Sequence, residues 1–151
     1  MTVSNMYSSQ TADVRELFGD YIEGNGDCIA LCLYAGDLRT EARTAIEKSL
    51  EAFGYGKGAC TYACIAAGNE SPLDPNALFM LVEGLDPLLI VCADNKSCVA
   101  LGAAYRENVP AHTVSRIFGR ETAAFNDLGK LMESPESKQR AWAVFKQLPK
   151  R

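Results

Sequence analysis

Arg39 and Arg43 stand one helical turn apart, directly after Gly36-Asp37 and at the start of a stretch with helical periodicity. A cation there faces the positive end of the helix dipole and repels its neighbour, at about 0.3–1 kcal/mol per misplaced charge when exposed. Lys96, beside Asp94 and Asn95, repeats the pattern, and Arg116 and Arg120 bracket the end of a later apolar segment. Charges set against local rules are expected where a ligand compensates them. The chemistry implied is recognition of an anion: a phosphate, a nucleotide or a carboxylate. Asp37 and Asp94 occupy equivalent places, and each has a sufficient task as the acceptor that caps a helix. Paired, they would offer oxygens to a divalent ion, but two acids at helix starts are commonplace and no metal site is assigned. The candidate ligand-binding set is Gly36, Asp37, Arg39, Arg43, Asn69, Asp94, Asn95, Lys96, Arg116 and Arg120.

These residues need a frame that gathers them. Four apolar segments supply it: Asp27 to Tyr34, Ala59 to Ala67, Leu88 to Ala93 and Thr113 to Phe118, each followed by a helical pattern. Strands too apolar for one wet face must be covered on both, which implies a parallel sheet between two helix layers. The expected fold is therefore α/β, a three-layer domain with a four-stranded, mainly parallel sheet. Helices are expected over Ala12 to Ile22, Leu38 to Phe53, Pro75 to about Glu83, Asn95 to about Glu107, Glu121 to Met132 and Pro135 to Leu148. Asp74-Pro75 is a well-formed helix start, and Gly84 a C-cap. With right-handed crossovers, a ligand belongs in the crevice outside the carboxyl ends of the strands. Arg116 and Arg120 are expected at that edge, and His112 at the opposite one.

Other motifs carry less. Gly54-Tyr55-Gly56-Lys57-Gly58 looks like a phosphate loop but follows a helix and opens a strand, the reverse of the order that aims helix N–H groups at a phosphate. A C-cap and turn explain it better. His112, the single histidine, has no nucleophile or acid assigned to it, and no catalytic residue is assigned anywhere. Cys28/Cys32 and Cys60/Cys64 fall within strands, where residues four apart stand ~13 Å from each other, too far for one bond or one metal. The six cysteines read as small buried apolar residues in a reducing compartment, with a cross-strand Cys28–Cys60 pair the geometric exception. Trp142, Val144, Phe145 and Leu148 read as docking residues of the last helix, with a partner-binding stripe as the alternative.

The chain of 151 residues is 48% apolar and 23% charged, which fits one domain over 1–151 with a polar, Ser-rich and flexible stretch at 1–10. No segment has the apolar length a bilayer requires, and no signal pattern opens the chain, so a cytoplasmic protein is expected. Charge is uneven: residues 1–104 hold six Lys/Arg against fourteen Asp/Glu, and residues 105–151 hold nine against five. The acidic body disfavours nucleic acid, while the basic C-terminal third leaves room for an acidic partner. Pro87-Leu88-Leu89-Ile90-Val91 feeding a helix, with a later basic strand, resembles the uracil-DNA glycosylase type of α/β fold over residues 27 to 130. That family's water-activating acidic motif and His-Pro-Ser loop are absent, so the resemblance implies architecture and carries no activity. The expected function is a binding domain for an anionic small molecule, its cofactor unassigned. The alternatives are a non-catalytic interaction or self-association module, such as a homodimer, and a divergent nucleic-acid-processing protein.

Overall fold

The computed structural model describes residues 18–24, 28–67 and 71–150. Residues 1–10, most of the expected Ala12 to Ile22 helix, and Gly68 and Asn69 lie outside the described residues. A single 3-10 turn, Gly19–Tyr21, precedes the two-residue strand β1, Ile22–Glu23. Then follow β2 Ala30–Ala35, α1 Thr40–Ala52, β3 Cys60–Ala66, α2 Pro75–Leu85, β4 Leu89–Cys92 and α3 Asn95–Tyr105. A hairpin of β5 Thr113–Ile117 and β6 Arg120–Ala124 leads to the short α4, Leu128–Leu131, and to α5, Pro135–Phe145.

The sheet is mixed and six-stranded, ordered β1-β3-β2-β4-β6-β5. The neighbours β3-β2, β2-β4 and β4-β6 run parallel, whereas β1 and β5 pair antiparallel at the two ends. This α/β sheet has more strands than the sequence pattern implies, and one of them changes role. Thr113–Ile117, expected as the fourth parallel strand, is an antiparallel edge. Arg120–Ala124, expected to open a helix, is the parallel strand beside β4. Thr122, Ala123 and Ala124 are fully buried there, so a place between β4 and β5 outweighs the helix propensity of alanine.

Alternate residues of the central strands serve two cores. Ala30, Cys32, Tyr62, Leu89, Val91 and Phe125 pack with α1, α4 and α5. Leu31, Leu33, Ala63, Ile65, Ile90 and Cys92 pack with α2 and α3. The chain thus leaves β2 toward one face and β4 toward the other, so the strand order reverses between these two neighbours.

The caps of α2 and α3 follow from local sequence. Asp74 accepts from the Asn76 N–H (3.0 Å), with Pro75 in the first turn. Gly84, expected as a C-cap, is buried inside α2, and Asp86 takes the left-handed cap instead (φ 49°). Edge strand β5 is blunted by side chains, as edges exposed to association usually are. Gln147 Oε1 accepts from the Val114 N–H (3.2 Å) and Glu107 Oε2 from the Phe118 N–H (3.2 Å).

Gly102 lies inside α3, where alanine ordinarily gains about 1 kcal/mol of helix propensity. A β-carbon here would stand 2.8 Å from the Glu107 carbonyl oxygen, in a chain reversal closed by the Glu107 N–H donating to the Gly102 carbonyl (3.1 Å). Backbone cannot yield as a side chain does, so Gly102→Ala should destabilise the domain by about 1–2 kcal/mol. A urea-unfolding midpoint that rises on this substitution would contradict the packing described.

Candidate functional site

The carboxyl ends of β2 and β4 meet where the strand order reverses, the crevice in which α/β sheets hold ligands. Asp94 stands there and is wholly engaged. Its Oδ1 accepts from the Ser97 N–H (2.9 Å) and its Oδ2 from the Ala35 N–H (2.8 Å), while the Ser97 hydroxyl donates to the Asp94 carbonyl (2.8 Å). One carboxylate thus caps α3 and ties β2 to β4. The Asn95 N–H donates to the Asn126 carbonyl (2.9 Å), and Asp94 bridges Asp127, joining the end of β6 to the same knot.

The expected cation cluster is dispersed. Arg39, not Asp37, is the N-cap residue of α1, and it makes no side-chain cap. Its guanidinium crosses Gly129 instead, donating to the Gly129 carbonyl (3.3 Å) and pairing with Glu133 (2.9 Å). That hydrogen bond raises the Arg39 pKa. The pair is about half exposed on both sides (53% and 55%), so solvent screens it and it adds little to stability. Arg43 pairs with Glu23 (3.1 Å) and lies over the Tyr62 ring, 4.1 Å from its centroid. Gly36 turns the chain after β2 at φ +74°, Asp37 and Asn95 are exposed, and Lys96 is exposed in the first turn of α3. Asn69 lies outside the described residues.

Arg116 and Arg120 sit at the opposite, amino edge, because β5 runs antiparallel and carries its end and the following turn there. Arg116 pairs with Glu121 (3.4 Å). Arg120 donates to Glu83 (2.5 Å), Asp86 (2.7 Å) and the Pro87 carbonyl (2.9 Å), with only 11% of its side chain exposed. Burial opposes its charge, but the bonds to Glu83 and Asp86 outweigh burial and raise its pKa. Arg120 is a brace between the hairpin and α2.

The same reversal brings His112 to the carboxyl edge, against expectation. His112 has φ 62°, donates its N–H to the Ala124 carbonyl (2.7 Å) and sets its ring edge-to-face with Phe125. With Asn126, Asp127, Lys130, Leu131, Glu133, Ser134 and Ser137 it lines an open cleft of about 580 Å³. Ser134 caps α5 by accepting from the Ser137 N–H (3.2 Å), and the two hydroxyls are 2.9 Å apart. Asp127 Oδ1 is occupied by the Lys130 N–H (3.1 Å), and Glu133 is neutralised by Arg39. The cleft offers an imidazole, an ammonium, an amide and two hydroxyls beside the Asp127 carboxylate. None of the expected site residues lines it, but Arg39, Asp94 and Asn95 each adjoin it through one bond. The signal that points to it is Phe118-Gly119, whose consecutive positive φ values (49° and 85°) close the two-residue hairpin that reverses the chain.

All six cysteines carry free thiols. Burial, with Cys60 nearby, pushes the Cys32 thiol up, and a hydrogen bond with Cys98 together with burial does the same for Cys92. Cys98, the partner in that bond, is shifted down. Among the described residues no group of three or more His, Cys, Asp or Glu is placed to hold a metal, and no helix is long and apolar enough to cross a membrane. No protein-family model matches the chain, and no curated protein is significantly similar to it.

Asp94→Ala should cost about 2–4 kcal/mol, because the Ser97 N–H at the cap and the Ala35 N–H are both left without an acceptor. Arg39→Ala should leave the stability nearly unchanged. Chemical denaturation of both variants checks the contrast, and equal losses would refute the role given to Asp94.

Proposed function

We propose that this chain is a binding domain for a small anionic molecule, held in the carboxyl-edge cleft between the start of β5, the end of β6, and α4 and α5. One observation carries the reading: a cleft of about 580 Å³ whose lining includes His112, Asn126, Lys130, Ser134 and Ser137. That volume suits a small ligand, and the donors converge beside the start of an eleven-residue helix, α5, whose dipole favours negative charge. Arg39 enters this reading indirectly, by cancelling the charge of Glu133 at the rim. The finer topology, doubly wound and Rossmann-like or uracil-DNA-glycosylase-like, belongs to the same proposal, since its switch point adjoins the cleft.

A melting scan with phosphate, sulfate and common nucleotides tests it. At a hundredfold excess over Kd the ligand should add about 2.7 kcal/mol, raising Tm by roughly 5–10 °C. Lys130→Ala should abolish most of the shift, and Arg39→Ala should reduce it by leaving Glu133 unpaired. An unchanged shift in Lys130→Ala would place the ligand elsewhere, and no shift with any anion would remove the proposal.

A second reading, self-association, is favoured by one feature at the amino edge. Phe79, Tyr105 and Phe118 form an aromatic cluster, with ring centroids 5.1 to 6.3 Å apart. Phe118 is 60% exposed in a left-handed conformation that costs a bulky residue about 1–2 kcal/mol. Strain kept on an exposed aromatic suits a contact surface. Sedimentation velocity should then show a dimer that Phe118→Asn dissociates, and a monomer at all concentrations excludes it.

A further inference from the structure

The four arginines expected to hold a ligand are spent on carboxylates, but Lys48 and Lys138 are not. A groove runs between α1 and α5, floored by Met132. Its narrow section, about 230 Å³, is lined by Ala45, Ser49, Ala141, Trp142 and Phe145. It adjoins a section of about 310 Å³ that reaches Thr40, Glu41 and Thr44. Lys48 from α1 and Lys138 from α5 line both sections, so a cationic side chain from each of two helices borders one hollow. Neither takes part in an ion pair among the described residues, and Glu41, the one carboxylate of the lining, pairs with neither. Lys138, Trp142 and Lys146 are spaced i, i+4, i+8, so they share one stripe of α5 and its C-cap. Trp142 stacks on Phe53 (5.3 Å between centroids) yet stays 38% exposed, with Lys146 Nζ 5.9 Å from its ring.

We infer that this groove docks an acidic peptide segment of a partner protein. An apolar anchor side chain would seat beside Trp142 and Phe145, and its carboxylates would lie between Lys48 and Lys138. Charge complementarity identifies the occupant, because the apolar floor is bordered by cations that have no anion of their own. Length favours a segment over a compact ligand: Thr40 to Ser49 spans about 13 Å of α1 at 1.5 Å per residue. An apolar anchor with flanking charges matches the way grooves between helices read peptides.

Trp142, the only tryptophan of the chain, reports on the groove by its own fluorescence. The full-length protein is titrated with a short helical peptide of leucine and glutamate. Controls are the same peptide with lysine replacing glutamate, an oligoglutamate lacking leucine, and a free aromatic carboxylate, N-acetylphenylalanine. The leucine–glutamate peptide should saturate the emission change, more weakly as salt rises, while the controls bind at least tenfold more weakly. Lys48→Glu with Lys138→Glu, both exposed and away from the cores, should lower its affinity by about tenfold or more. Lys130→Ala should leave it unchanged, which separates this groove from the carboxyl-edge cleft. Equal binding of the lysine peptide, or no effect of the double substitution, would overturn the inference. N-acetylphenylalanine binding as tightly as the peptide would replace it with a small-molecule site. An emission change that follows protein concentration without peptide would replace it with a second copy of this chain.

Discussion

Burial of the central strands on both faces is the constraint from which the other features follow. Residues 30–33 of β2 and 90–92 of β4 are fully buried, and each large apolar side chain so covered contributes about 1.5–3 kcal/mol. A strand hidden on both sides needs a helix layer on each, so successive crossovers are driven to opposite faces. That requirement creates the reversal between β2 and β4, and with it a place where two strands end side by side and their chains depart in different directions. The gap would expose backbone donors, and Asp94 meets the need by accepting from both Ala35 and Ser97. A carboxylate that reads as a helix cap in the sequence is, in the fold, also the fastening of the switch point.

Electrostatics sorts the surface into two populations. Arg39, Arg43, Arg116 and Arg120 all pair with carboxylates; for Arg39, Arg43 and Arg120 the partner is more than fifteen residues away, while Arg116 uses Glu121 across its own hairpin. Guanidinium groups suit this use, since their planar donors serve several acceptors at once, as Arg120 does with Glu83, Asp86 and Pro87. Lys48 and Lys138 keep their charge uncommitted beside an apolar groove, and Lys130 does so within the carboxyl-edge cleft. Of the basic residues of the C-terminal third, Lys130 and Lys138 line these two features, while Arg116 and Arg120 stand at the amino edge.

Local chemistry was legible in the residues themselves. The apolar segments that became β2, β3 and β4 are recognisable because a strand buried on two faces needs no partner to look apolar. The starts of α2, α3 and α5 are recognisable because a capping oxygen, proline or serine acts on its own next turn, at Asp74, Asp94 and Ser134. The α/β class and the crevice at the carboxyl edge follow from that much. Which residues reach the crevice does not, because it depends on the direction of one strand. Thr113–Ile117 carries strand propensity and Arg120–Ala124 helix propensity, yet a two-residue turn at Phe118-Gly119 makes the first an antiparallel edge and the second the parallel neighbour of β4. That single reversal carried Arg116 and Arg120 to the amino edge and brought His112, with the loop after β6, to the carboxyl one. Long-range pairing decided the rest: an arginine's carboxylate partner, like Glu133 for Arg39, is set by which helices pack together, and no spacing along the chain encodes it.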